Sequence, residues 1–395
     1  MRILHIGYRL PPEPGGKERH IECLTREELA LGHEVLVARR HGDVPAGALE
    51  VTLPRTLTAR AVARRSDPLA FAVECARALP RLGRIDVVNL HGDHREALAV
   101  GPAAARLGIP LVLTAHGALT TRHRTVMRWA LCRVGGFIAL GTRPAADLRR
   151  AGVPARAIRT LSSGLDLPRL DAIRSGTTVE PSLIVSVGSL LPVKNHALTI
   201  AAFRRLSAVR PGLRLVIAGE GPERGQLERL ASAGPGVELA GHLPRDEVVS
   251  LVSRAQVFVL ASRRLPALGE GVPTAALEAL ALGTPALLSS QATLDPVVTD
   301  RAAYRVFRSG SVDDLTTHLR AVLDDDDVRA GMAERGRRAV AHLGWPDVAA
   351  RIVGWYEEVI RRAGPPAGPH RDVAAAERAH GDGSGMHAAH ADARR

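Results

Sequence analysis

Short runs of consecutive apolar residues alternate with longer stretches of helical spacing along most of this chain. Ile3–Gly7, Glu34–Ala38, Asp86–Leu90, Pro110–Ala115 and Gly136–Leu140 read as buried parallel strands. Between them, Lys17–Leu31, Arg95–Leu107, Thr121–Val134 and Pro144–Ala151 have the length and periodicity of helices. The rhythm restarts after about residue 172, with strands at Leu183–Gly188, Arg214–Gly219, Val237–Gly241, Val257–Ala261 and Pro285–Ser289. The polar stretch Asp171–Pro181, containing Ser175-Gly176-Thr177-Thr178, marks the break. Two consecutive βα series predict an α/β protein of two doubly wound, Rossmann-like domains, 1–172 and 173–344, facing each other across a cleft. Helices follow at Val312–Leu323 and Val328–Ala341, separated by the acidic run Asp324–Asp327, and a last one runs from Trp345-Pro346 to about Arg362. From Gly364 onward the chain is rich in Pro, Gly, Ala and His without periodicity, which predicts a disordered tail. Its four histidines match no metal-site spacing.

At 395 residues the chain has room for both domains. It is 46% hydrophobic, yet no run of 18 apolar residues occurs, and the first residues lead into a strand rather than a signal peptide. Cys23, Cys75 and Cys132 are odd in number and scattered, so neither a disulfide framework nor a zinc motif is indicated, and a reducing, cytoplasmic setting fits. The net charge of +12 is uneven. Residues 1–175 hold 27 Arg and Lys against 16 Asp and Glu, and the remainder holds 26 against 25. An acidic partner is therefore expected at the N-terminal half. Nucleic acid is a poor candidate, because aromatics make up only 3% and no binding module is present. Arg55, Arg60, Arg64 and Arg65 beside Leu57, Val62, Leu69 and Phe71 fit a basic amphipathic helix on an anionic membrane surface. A solvated Arg-rich face accounts for the same residues.

The densest chemistry lies in Glu270-Gly-Val-Pro-Thr-Ala-Ala-Leu-Glu278. Glu270 falls in a loop, Pro273 suits the first helical position, Gly283 reads as the C-terminal cap and Pro285 as the stop. One carboxylate thus precedes a helix N-terminus and the other lies about one turn inside it. Val272, Pro273 and Thr274 sit between them, at a dipole end suited to phosphate. Such an array suits a ligand with hydroxyls at both ends and phosphates in the middle, as in a nucleotide sugar.

Other candidates lie at the carboxyl ends of predicted strands, where open α/β sheets bind ligands. Lys194 follows Gly188-Ser189; of 53 basic residues only Lys17 and Lys194 are lysines, which points to a site preferring a compact charge over a planar fork. Gly15-Gly16 follows the first strand, where backbone amides cradle phosphate or simply make a tight turn. His116 ends a strand and is either a sugar ligand, an acid–base group or structural. His91-Gly-Asp93-His94 resembles a metal cluster but lacks a fourth ligand, so no metal site is expected. Gly164 and Asp166 would line the cleft. Glu220 would meet a base or ribose, or else initiate a helix. Neither a nucleophile elbow nor a Walker loop occurs.

In order, the motifs are Pro11-Pro-Glu-Pro-Gly-Gly-Lys-Glu-Arg-His20, Gly32-His-Glu-Val35, Thr114-Ala-His-Gly117, Ser163-Gly-Leu-Asp166, Val187-Gly-Ser189 with Lys194-Asn195, Ala218-Gly-Glu-Gly-Pro222, and Glu270-Gly-Val-Pro273 through Leu277–Pro285. Over roughly residues 1–360 this set resembles the retaining, nucleotide-sugar-dependent glycosyltransferases of family 4, which have the GT-B fold of two facing Rossmann-like domains. The resemblance implies that Glu270 binds hydroxyls of the donor sugar and Glu278 the ribose. Lys194, the amides near Val272–Thr274 and the Gly15-Gly16 loop would hold the diphosphate, and His116 would touch the sugar near the reacting carbon. It further implies retention of configuration, a glycan or lipid-linked acceptor, no metal or other cofactor, and a last helix (345–363) packed back on the N-terminal domain. Two positions depart from the pattern. Ser189 stands where an arginine is usual, for which Arg263 or Arg264 is a candidate substitute, and Ser290–Asp295 replaces a Gly-rich turn. A sugar-nucleotide-binding protein with weakened catalysis, or a nucleotide-sugar epimerase on the same fold, are the alternatives.

Overall fold

The computed structural model describes residues 1–13, 15–119, 124–266 and 269–364; the predicted C-terminal tail lies outside them. The first half forms one seven-stranded sheet from β1 (Arg2–Gly7), β2 (Glu34–Ala38), β3 (Leu49–Glu50), β4 (Val87–His91), β5 (Leu111–Ala115), β6 (Gly136–Leu140) and β7 (Ile158–Leu161). Its spatial order is β3-β2-β1-β4-β5-β6-β7, with every neighbouring pair parallel. The helices are α1 (Gly16–Ala30), α2 (Leu57–Ala63), α3 (Asp67–Ala78), α4 (His94–Arg106), α5 (Arg124–Leu131) and α6 (Thr142–Arg150).

The second half repeats the plan. Six parallel strands, β8 (Leu183–Val187), β9 (Arg214–Ala218), β10 (Val237–Gly241), β11 (Val257–Leu260), β12 (Ala286–Ser289) and β13 (Arg305–Phe307), lie in the order β10-β9-β8-β11-β12-β13. Around them pack α7 (Leu167–Ser175), α8 (His196–Ser207), α9 (Arg224–Ala231), α10 (Arg245–Arg254), α11 (Thr274–Ala281), α12 (Val312–Leu323) and α13 (Asp326–Val340). In each sheet the order reverses beside the first strand, between β1 and β4 and between β8 and β11, which is where doubly wound sheets open a crevice.

The chain closes with α14 (Trp345–Ala363), which returns to the N-terminal sheet. Its Trp345, Val348, Ile352, Tyr356 and Val359 bury against Ile3, Leu24, Val112 and Ile138. Main-chain bonds from Leu165 N–H to the Leu343 carbonyl (2.8 Å) and from Trp345 N–H to the Leu165 carbonyl (3.1 Å) fix its entry.

Four local readings need correction. The expected break at Asp171 falls inside α7, which Asp166 caps and Pro168 opens; the irregular segment starts only at Gly176. The acidic run separates the helices as expected but also starts the second, two residues early: Asp325 caps α13, with Asp326 and Asp327 in its first turn, where the helix dipole favours anions. Pro273 is the N-cap in extended conformation rather than the first helical residue. Of the basic cluster, α2 holds Leu57 82% exposed, whereas Phe71 is in the core.

Candidate functional site

The carboxyl edges of both sheets face one cleft of about 650 Å³. Gly15, Gly16, His116, Gly164, Asp166, Gly188, Ser189, Lys194, Glu220, Glu270, Val272, Pro273, Thr274 and Glu278 all line it, so the sequence candidates are brought together. His94, by contrast, is buried at the start of α4, which Asp93 caps, and neither residue lines the cleft.

On the C-terminal wall the charges are already paired. Lys194 Nζ lies 2.5 Å from Glu270 Oε1, which also accepts from the Ser262 hydroxyl at 2.9 Å. Glu278 is gripped by both terminal nitrogens of Arg245, one at 2.9 Å from Oε2 and the other on Oε1. Burial, then the neighbouring Arg19, pushes the Arg245 guanidinium down to about 10. Glu220 is paired with Arg224 at 2.5 Å.

The loop carrying Glu270 is fixed to the other half of the molecule. Val272 N–H donates to the Leu140 carbonyl at 2.8 Å, Ala118 N–H to the Gly269 carbonyl at 3.2 Å, and Gly117 bridges Glu270. A Cβ on Gly271 would stand 2.5 Å from the Leu140 carbonyl and 2.6 Å from that of His116, so this close crossing requires glycine. Val272 therefore spends its amide on Leu140 and Pro273 has none, so of these three residues Thr274 at the first position of α11 retains an amide to offer phosphate. The opposite wall supplies a second helix N-terminus: Gly15, at φ 155°, caps α1 and leads into Gly16 and Lys17.

Ser189 supplies no charge at its own position, and neither arginine nearby replaces it. Arg264 is held at 2.9 Å by both carboxylate oxygens of Asp147, Arg263 donates to the Pro192 carbonyl at 2.8 Å, and neither lines the cleft. Among the described residues the cleft's cations are Lys17, Arg19, Lys194 and Arg245. Arg245 was not singled out from sequence, although it opens the helix following β10 and the strand-end rule applies to it as to the others.

Behind His116 the N-terminal domain holds three more histidines. His5, His20 and His91 are almost fully buried, and the Glu28 carboxylate sits among them. Ring nitrogens run from Glu28 Oε2 to His5 Nε2 at 2.6 Å, from His5 Nδ1 to His91 Nε2 at 2.9 Å, and from His91 Nδ1 to His116 Nε2 at 3.1 Å. His20 Nδ1 meets the Ser163 hydroxyl at 2.9 Å. Burial depresses all the histidines for which a shift is resolved here: His20 to about 3, His91 and His116 well below 6.5. His20, His91 and His116 present nitrogens within 4.8 Å of one another. Two of these rings are hydrogen-bonded to each other, His91 Nδ1 to His116 Nε2. Glu28 carried a legible signal: it falls on the apolar face of α1 with His20 and Leu24, at a spacing of four.

Two facing doubly wound domains with carboxylates, two lysines and two helix N-termini around a shared cleft suit a phosphorylated, hydroxyl-rich ligand. Residues 171–339 match the model of glycosyl transferases group 1, and residues 14–169 match that of glycosyltransferase family 4. The glycogen synthase of Mycobacterium tuberculosis (strain ATCC 25618 / H37Rv) is 28% identical over 402 residues, covering 90% of this chain and 94% of that protein. Among solved structures, the sucrose-phosphate synthase of Thermosynechococcus elongatus superposes with a TM-score of 0.76 at 17% identity, over 91% of this chain and 99% of that one. Anabaena HepE in complex with UDP gives 0.69 at 15% identity, over 91% and 100%. The chain belongs to the family 4 glycosyltransferases of GT-B fold.

Proposed function

We propose that this glycosyltransferase takes a sugar from a nucleoside diphosphate sugar and transfers it to a hydroxyl of a lipid-linked, polysaccharide or small-molecule acceptor, with retention and without a metal. The observation that carries this reading is the placing of Lys194, Glu270, Glu278 and the N-termini of α1 and α11 around one cleft. In this reading Glu270 binds donor-sugar hydroxyls, and Lys194, Thr274 and the Gly15-Gly16 loop hold the diphosphate. Glu278 takes the ribose hydroxyls after one of its oxygens is given up by Arg245. Preorganised cations and amides stabilise the charge that develops on the leaving diphosphate, which is what a metal would otherwise do. The UDP complex of Anabaena HepE supports a nucleotide-linked donor.

A panel of nucleotide sugars, assayed for slow release of the nucleoside diphosphate, tests the proposal. Release with one donor, accelerated by an acceptor, is the expected result. Binding without release across the whole panel would instead favour the non-catalytic reading, for which the uncharged Ser189 is the supporting observation. A lipid-linked acceptor is favoured by α2, with Leu57 exposed among Arg55, Arg60, Arg64 and Arg65. No helix among the described residues is long and apolar enough to cross a membrane. Sedimentation with anionic vesicles at low salt is expected to carry the protein down, and its absence there ends the membrane reading.

A further inference from the structure

The Glu28–His5–His91–His116 column reaches from the interior of the N-terminal domain to the cleft wall. Each contact is a hydrogen bond between ring nitrogens or from ring to carboxylate. The carboxylate sets the order of protons. With Glu28 ionised and His5 neutral, His5 carries its proton on Nε2, toward Glu28. Its bare Nδ1 then accepts from Nε2–H of His91, whose bare Nδ1 accepts from Nε2–H of His116. Nδ1 of His116, the ring of the column that lines the cleft, is left as a lone pair.

We propose that this column is a buried proton relay, open at His116 and storing its proton at the Glu28–His5 pair. A proton arriving on Nδ1 of His116 sends the Nε2 proton of that ring to Nδ1 of His91. The Nε2 proton of His91 then passes to Nδ1 of His5. Each hop breaks one N–H bond and makes another, and the positive charge ends on His5 as an imidazolium beside the Glu28 carboxylate. His116 is thereby converted from an acceptor to a donor toward the cleft. On the glycosyltransferase reading above, His116 would exchange this proton with a hydroxyl of bound sugar or acceptor, and Glu28, His5 and His91 are positioning residues that act through it.

The surroundings favour this sense of travel. Desolvation, the other histidines and Lys17 of α1 disfavour a charge on His91, and desolvation, His20 and Lys17 disfavour one on His116. Glu28 supplies the carboxylate that compensates a charge on His5. From α14, Tyr356 faces Glu28, and burial followed by the charge of Glu28 holds its hydroxyl well above 10, so it stays protonated. From β4 and β5, Asn89 and Thr114 are neutral and bonded to each other at 2.8 Å. A carboxylate and an imidazole with no exposed side-chain surface cost stability unless they are used, and the mechanism gives them no other use.

NMR of the ligand-free, full-length chain labelled with 15N at histidine tests the relay between about pH 5 and pH 8. Couplings across hydrogen bonds should link His5 to His91 and His91 to His116. The 15N shifts should show the proton on Nε2 of His5, His91 and His116 alike, and Glu28→Gln should remove that ordering at His5. Absence of either coupling in the unmodified chain, or charge appearing first on His116, overturns the relay, as does one zinc per chain bound from zinc chloride and lost in His20→Ala. In a donor-turnover assay, Glu28→Gln should lower kcat about tenfold, with KM within about twofold. A change in KM alone overturns it. The NMR measurements need no turnover, so their failure leaves the transferase reading standing, and failure of that reading leaves them interpretable.

Discussion

On the C-terminal wall of the cleft, charged groups neutralise one another: Lys194 with Glu270, Arg245 with Glu278, Arg224 with Glu220. The N-terminal wall instead presents the half-buried His116, backed by a buried column of hydrogen-bonded rings that ends at Glu28. On the proposed function, the first wall is prepared for a ligand that exchanges one partner for another: a phosphate would replace Glu270 at Lys194 and a ribose would replace Arg245 at Glu278. The second, on the relay proposed above, is prepared for a ligand that exchanges protons. Affinity is thus concentrated on one side and acid–base behaviour on the other, which agrees with the proposed division between donor binding and acceptor chemistry.

The largest effect that tests this contrast is on the paired wall. Glu270→Ala and Lys194→Ala are each expected to lower kcat about 10²–10³-fold. The double variant should lose little more than either single one, because the two groups act as a unit. Losses that multiply would break the pairing argument.

The second prediction concerns pH. Burial keeps His20 near 3 and His91 and His116 well below 6.5 in the folded chain. Between the unfolded value of about 6.5 and these depressed values the unfolded chain binds protons that the folded one refuses. Stability is therefore full above about pH 6.5 and falls as pH drops, by ~1.4 kcal/mol per pH unit for each histidine kept neutral. Urea midpoints measured from pH 7 to pH 4.5 read this directly, and a flat profile contradicts neutral rings.

Next in size, Arg245→Gln leaves the Glu278 carboxylate without its partner and is expected to cost ~1–3 kcal/mol. Adding Glu278→Gln should recover part of that loss in a double-mutant cycle. The smallest effect falls beside the relay: Tyr356→Phe removes the hydroxyl to which Asn89 donates at 2.6 Å, costing ~1 kcal/mol in urea unfolding.

Most of the architecture was legible because parallel strands buried on both faces read as unbroken apolar runs, and ten were located within a residue or two. The short edge strands β3, β7 and β13 were missed. Arg159 and Thr160 interrupt β7, and Arg305 opens β13, so neither has a clean apolar run. The start of α7 was missed although Asp166 and Pro168 form an N-terminal signature, because the polar residues after Asp171 were read as a linker. At the site, strand ends and glycine pairs located the cleft. The partners of its charged groups were not legible, since Arg245 meets Glu278 from 33 positions away and His5 meets Glu28 from 23. Such pairings arise from the twist and order of the sheets, not from local pattern.

The segment Gly269–Val272 carries Glu270 while its main chain is bonded to Ala118 and Leu140 of the other domain. Separating the halves far enough to admit a bulky ligand breaks those bonds at the very residues that aim Glu270. The main chain carrying the Glu270 carboxylate is therefore braced by both domains, so its position depends on how they sit against each other. On the proposed function, such a coupling would disfavour cleavage of the donor by water until the two halves had closed on it.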